Sequence, residues 1–230
     1  DDLAPFDARK KVIEYQLEDA ATSRLVSLSL TRFTEETQAE SPAPGGGSVA
    51  AIVGAMGVAL GGMVANLSAN KRGWDDRWEE FSNWAVKAEN YRTELLRLVD
   101  EDTRAYEAIM QALQLPKNGP EEKAARTAAM HEATKGAILV PLKTLRLCVG
   151  SMEVSRAMAD IGMPASVSDA GVGVMCARTG AMAAYLKVRT NFKGFDDAAF
   201  QQEVMAEAEQ LKAKAEKVEA EVLKATLAKI

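Results

Sequence analysis

Histidine is almost absent from this chain, with His131 the one instance in 230 residues. A Ser-His-Asp or Cys-His arrangement would have to run through it, yet it stands in a polar, solvated helical pattern where a surface position is expected. Cysteine is nearly as scarce. Cys148 and Cys176 are set apart in apolar helical patterns with no CxxC spacing, and they read as buried thiols of a cytosolic protein rather than a disulfide or metal pair. No clustered ligands support a metal site. Aromatics are 6% of the residues, and no short Val/Ile/Tyr-rich runs alternate with helices, so an α/β architecture has little support. Basic residues never gather into a block: 28 Lys and Arg are scattered among 33 Asp and Glu for a net charge of -5, which argues against a nucleic-acid partner.

The most informative absence is local. From Ser41 to Asn70 there is no charged residue at all. The stretch opens with Gly45-Gly46-Gly47-Ser48 and continues into VAAIVGAMGVALGGMVANL. A glycine-rich turn entering a helix presents unpaired N–H groups and the positive end of the helix dipole, which together suit an anion. Behind it, Val49, Ile52, Val53, Met56, Leu60, Met63, Val64 and Leu67 form a bulky stripe, and Ala50, Gly54, Gly57, Gly61 and Ala65 a stripe of small residues. Both faces are expected to be packed, the small one against a closely approaching backbone. The run is long enough to span a bilayer. Its Ala/Gly composition and lack of an aromatic belt or one-sided basic flank instead favour the central helix of a bundle, with neighbouring subunits covering part of it.

What is abundant is Ala, within a hydrophobic content of 47%. Together with sparse Gly and Pro elsewhere, this predicts an all-α antiparallel bundle of about six helices, dimer-forming, with the Gly/Ala-rich helix buried at its centre. Residues 1–22 read as a linker or tail and residues 23–230 as the helical domain. The chain begins at Asp1 without Met, which suggests a segment or processed form of something longer. Helical periodicity starts near Leu25 and stops before Pro42. Further helices are expected at about 48–70, 75–113, 121–160, 166–190 and from the turn at 191–197 to Ile230. Pro141 should kink or restart the helix at 121–160.

One carboxylate breaks the pattern. Along Leu95, Leu98/Val99, Ala105/Tyr106, Ile109 and Leu113 the apolar stripe passes through position 102, which is aspartate, while Asp100 and Glu101 fall off it and can reach water. Asp102 therefore either pairs with a cation for structure or has its pKa raised by desolvation, which would suit it to general acid–base work. Asp169, beside Ser166 and Ser168, reads as a helix cap or a ligand contact. Lys117 and Asn118 lie at a turn, as punctuation or as substrate contacts. Lys71, Arg72, Lys187 and Arg189 are surface charges or attractors of an acidic substrate.

These residues carry a resemblance. The segment Pro44-Gly-Gly-Gly-Ser48-Val-Ala-Ala51, with Met63-Val64, Leu98-Val-Asp-Glu-Asp102, Tyr106, Leu115-Pro-Lys-Asn118, Val140-Pro-Leu142, Ser168-Asp169 and Ala184-Tyr185 to Asn191, resembles the formiminotetrahydrofolate cyclodeaminase domain of formiminotransferase-cyclodeaminase. Residues 5–15 are similar to the segment joining its two domains. The resemblance implies a cytoplasmic enzyme of one-carbon metabolism that converts 5-formiminotetrahydrofolate to 5,10-methenyltetrahydrofolate and ammonia, with no cofactor, no metal and no membrane or nucleic-acid partner. Asp102 falls on the family's proposed proton acceptor. Gly45, Gly46, Gly47, Ser48, Lys71, Tyr106, Lys117, Asn118, Asp169 and Asn191 are the expected substrate contacts, while Lys187 stands where the family usually carries Asn. Implied partners are folate, with polyglutamylation left open, a second copy of the chain, and a glutamate formiminotransferase domain. Methenyltetrahydrofolate cyclohydrolase on the same fold, and a non-catalytic oligomerisation domain, are the alternatives.

Overall fold

The computed structural model describes residues 25–230; the expected tail at 1–22 and the segment at 5–15 lie outside them. The described residues form six α-helices and no strand: α1 (Leu30–Gln38), α2 (Gly46–Ala69), α3 (Trp78–Gln114), α4 (Pro120–Ile161), α5 (Val167–Asn191) and α6 (Ala198–Leu227). The all-α expectation holds. Residues 45–230 make one compact unit, and α1 belongs to the unit before it. α1 begins at Leu30, later than the periodicity suggested, because Ser29 caps it by accepting the Arg32 N–H at 3.2 Å.

Within residues 45–230, α2 is the spine and packs against α3, α4 and α5. Its small stripe explains the intimacy. A Cβ at Gly57 would lie 2.6 Å from the Gly173 carbonyl oxygen of α5, and one at Gly180 would lie 2.7 Å from the Ala50 carbonyl oxygen of α2, so these two helices touch backbone to backbone. The pairing of Gly57 with Gly173 and of Gly46 with Lys187 shows that α2 and α5 run antiparallel. On the other side of α2, Gly62 meets Ala88 while Gly47 meets Asp102, so α3 is antiparallel to it as well. α6 closes the bundle against α4 and α5, with ion pairs from Arg146 to Glu207 and from Arg156 to Glu221 along its outer edge.

Three expectations need correction, while the preference for a bundle helix over a membrane span in α2 stands. α2 is not packed all round: the small stripe is buried, but Met56, Met63 and Leu67 of the bulky stripe are 44%, 38% and 42% exposed, because the close backbone approach is made by the opposite face. Although α2 is long and apolar enough to cross a membrane, 61% of its most apolar window is buried inside the protein. Pro141 does not restart α4, which continues from Pro120 to Ile161 with Pro141 buried inside it. Asp100, expected in water, is 7% exposed, because α3 buries Leu98, Val99 and Asp100 in succession.

Cys148 is fully buried, and burial pushes its thiol up to about 12. Cys176 is half-buried beside the close approach of α5 to α2, where a Cβ at Gly57 would lie 3.1 Å from its Cβ. His131 is less solvated than expected, since its ring stacks on Phe195 at 4.6 Å between centroids.

Candidate active site

The first turn of α2 and the middle of α3 build the site together. Gly45, extended at φ -104° and ψ -173°, is the N-cap and has no side chain to offer the exposed amides of the turn. Asp102 of α3 takes that role. The Ser48 N–H donates to Asp102 Oδ2 at 3.0 Å. The Ser48 hydroxyl donates to the Val99 carbonyl at 2.9 Å and stands 3.3 Å from the same Oδ2. The anion that the glycine-rich turn was expected to hold is thus the protein's own carboxylate.

Gly47 makes this possible. A Cβ there would overlap the carboxylate, with Oδ1, Cγ and Oδ2 all within 2.6 Å, so no larger residue leaves Asp102 in place. At Gly46 the case differs, for an added Cβ would meet only the Lys187 side chain, at an ordinary 3.6 Å from Cδ. Lys187, in the last turns of α5, therefore lies beside the same first turn of α2 as Asp102, at the neighbouring position. Antiparallel packing has put the positive end of α2 beside the negative end of α5, with an anion at the first and a cation at the second.

The carboxylate experiences opposing effects. Burial pushes the Asp102 carboxyl above the usual aspartate range; the Lys187 ammonium and the Ser48 N–H and hydroxyl pull it down without cancelling the rise. Both Ser48 contacts go to Oδ2, and Oδ1 accepts no hydrogen bond from the described residues. The result is a half-buried acid anchored through one oxygen and open at the other, the form a proton acceptor requires.

The structure therefore brings together Gly45, Gly46, Gly47, Ser48 and Asp102, and it adds Lys187, which sequence alone could not separate from a surface charge. Tyr106 is one turn beyond Asp102 on α3 and 39% exposed. The other expected contacts are elsewhere. Lys117 and Asn118 are exposed in the α3–α4 turn, past the end of α3 at Gln114, roughly 18 Å or more along the helix from Asp102. Asp169 lies in the first turn of α5, about 27 Å along that helix from Lys187, and the Ser166 N-cap makes no side-chain hydrogen bond, so neither provides the expected cap. Lys71 follows the C-terminus of α2 and sits over the Trp74 ring at 3.7 Å. A groove of about 460 Å³ between α2 and α3, lined in part by Met63, Asn66, Leu67 and Arg92, is also toward that end and contains none of the residues around Asp102.

Asn191 has a specific structural partner. Pro141 has no N–H, so the carbonyl of Ala137, four residues earlier in α4, loses its helical donor. The Asn191 side-chain amide donates to that carbonyl at 2.7 Å, one turn beyond Lys187 on the same face of α5.

The fold and the carboxylate together define a class, a single-carboxylate site on the terminus of the central helix of an all-α bundle. Comparison with known proteins makes this more specific. The sequence profile of the formiminotransferase-cyclodeaminase family matches residues 29–210. A methenyltetrahydrofolate cyclohydrolase of Methylorubrum extorquens is 40% identical over 187 residues, covering 81% of this chain and 90% of that protein. The formimidoyltransferase-cyclodeaminase of Rattus norvegicus is 36% identical over 203 residues, which is 88% of this chain but 38% of the rat protein. The crystal structure of formiminotetrahydrofolate cyclodeaminase from Thermotoga maritima superposes with a TM-score of 0.78 at 27% identity, covering 88% of this chain and 97% of that one. This chain belongs to the formiminotransferase-cyclodeaminase family.

Proposed function

We propose that the chain is a folate enzyme acting on the one-carbon bridge between N5 and N10, converting 5-formiminotetrahydrofolate to 5,10-methenyltetrahydrofolate and ammonia. Family membership supports the cyclodeaminase and cyclohydrolase class of chemistry. The observation that carries the mechanism is Asp102, pinned through Oδ2 by Ser48 and open at Oδ1. N10 attacks the amidine carbon on N5, a C–N bond forms, and Asp102 Oδ1 accepts the N10 proton. The bond from that carbon to the former imine nitrogen then breaks. The proton is delivered to the departing nitrogen, which enters as the NH2 of the protonated amidinium form of the substrate and so leaves as ammonia while the cationic methenyl ring closes. A carboxyl whose proton affinity is raised by burial is suited both to take and to return that proton. Tyr106 and the Gly45–Ser48 turn flank the reacting atoms in this reading, and no cofactor is needed beyond the folate. It retains a cytoplasmic enzyme that works as a homo-oligomer and in company with a glutamate formiminotransferase domain.

A second reading has its own support in the 40% identical cyclohydrolase, nearly all of whose length the match covers. There Asp102 would deprotonate a water attacking the methenyl carbon, and the C–N5 bond would open to give the 10-formyl product. The two readings separate when the protein is supplied with 5-formiminotetrahydrofolate while methenyl absorbance and ammonia are followed. Both rising together supports deamination; hydrolysis of methenyl-folate without ammonia release supports cyclohydrolase. In either assay Asp102→Asn should lose a factor of about 10² to 10⁴ in kcat with the helical circular dichroism unchanged, and near-normal turnover would remove Asp102 from the mechanism.

A further inference from the structure

We propose that Lys187 is a positioning residue for the Asp102 base, a fixed cation at the end of α5 that keeps the carboxylate charged and receptive at Oδ1. The inference rests on the reading of Asp102 as the proton acceptor. Its geometry is independent of which reaction the site performs. The Lys187 stem runs along Gly46, where an added Cβ would be 3.6 Å from Cδ, and Asp102 fills the space that a side chain at Gly47 would need. The first turn of α2 thus has a cation stem against Gly46 and an anion in the space that only a glycine at 47 leaves. The pair interacts across space rather than by hydrogen bond, which leaves Oδ1 free.

Among the described residues, Lys187 is the cation that acts on Asp102. α2 contributes no charged side chain anywhere along its length. On α3, Glu101 is tied to Arg97 one turn back, Asp100 is buried, and Arg104 is exposed. From α4, Lys143 is engaged by Glu94 at 3.2 Å. On α5, Arg189 turns to the Tyr185 hydroxyl at 3.3 Å, and that hydroxyl donates to Glu209 of α6. The stretch of α5 that carries Lys187 is tied to α4, since Asn191 on the same face donates to the Ala137 carbonyl. Burial raises the proton affinity of Asp102, and a nearby cation opposes that rise without touching the reacting oxygen.

The test compares wild type with Lys187→Met and Lys187→Arg. It uses two readouts, the pH dependence of kcat/KM and the 13C titration of the Asp102 carboxyl, assigned by its absence in Asp102→Asn. In Lys187→Met the titration midpoint and the acid limb of the rate profile should both move to higher pH. On the acid limb the rate at a given pH should fall about tenfold for each pH unit the limb moves, with the deficit shrinking as pH rises, and Lys187→Arg should restore most of it. If Lys187→Met fails to fold, Lys187→Gln provides the same comparison. An unchanged Asp102 midpoint in a folded Met or Gln variant overturns the proposal. The carboxyl titration does not depend on turnover, so an active Asp102→Asn would overturn the proton-acceptor reading while the midpoint comparison still decides whether Lys187 acts on Asp102.

Discussion

Asp102 is held where water would keep it more easily ionised, and that has consequences for stability as well as catalysis. Its folded-state carboxyl binds a proton more tightly than an unfolded aspartate does. The associated stabilisation is therefore complete below the ordinary aspartate pKa of about 3.9 and is lost as pH rises through the higher folded value. Asp102→Asn removes the charge but keeps an acceptor for the Ser48 N–H, so its Tm should exceed wild type at pH 8, with the gap closing toward pH 4. A lower Tm at pH 8 would contradict the burial argument. The two glycines before Ser48 make a sharper pair. Gly46→Ala should fold, gain up to about 1 kcal/mol from helix propensity, and keep activity within about twofold, because its Cβ finds only an ordinary contact. Gly47→Ala should abolish most activity, because its Cβ displaces the carboxylate. Parallel kcat measurements and urea melts check both. Asp102 was legible in sequence because a carboxylate interrupting an apolar stripe is a local anomaly. Lys187 was not, because a lysine in the last turns of a helix also suits the dipole of any exposed helix end, and only the antiparallel placement of α5 on α2 brings it near Asp102.

Between elements, the main lesson lies in how α4 tolerates Pro141. Sequence reasoning expects a break because proline removes one donor and orphans one carbonyl. It cannot see a donor 54 residues away, and Asn191 of α5 supplies one to Ala137. A buried carbonyl left without a donor costs about 1–3 kcal/mol, so Asn191→Ala should destabilise by about that amount in urea unfolding. In a Pro141→Ala background the restored helical N–H can satisfy Ala137, and the same Asn191→Ala change should then cost less than about 0.5 kcal/mol. The resulting coupling, about 1 kcal/mol or more, is the signature of this repair, and additive effects would show that Asn191 acts independently of the proline. α2 shows the other side of legibility. Its small stripe forecast a close backbone approach, and Gly57, Gly173 and Gly180 provide it. Its bulky stripe was expected to be buried too, but periodicity marks a face as apolar without saying what covers it.

For the whole molecule, that uncovered face is the main unfinished piece of the fold. Met56, Met63 and Leu67 of α2 are 38–44% exposed, and Val172 and Met175 of α5 are each 48% exposed. The two rows belong to helices that meet where Leu60 packs against Gly173, with a Cβ at Gly173 only 3.4 Å from that of Leu60. Such an apolar surface on a chain of net charge -5 calls for a cover. In the homo-oligomer reading that cover is a second copy, paired about a twofold axis. The same pairing would account for the scattered candidates. Lys71 and Asp169 are toward one end of α2 and Asp102 is at the other, so one copy keeps them apart, whereas antiparallel pairing along α2 sets the Lys71 end of one copy near the Asp102 end of the other. Met63→Lys lies far from Asp102 along α2 and should leave the isolated fold intact by circular dichroism. It should convert the assembly to monomer in sedimentation velocity and lower kcat/KM at least tenfold. A variant that becomes monomeric with full activity would show that each copy carries a complete site, and one that remains a dimer would place the interface on another face.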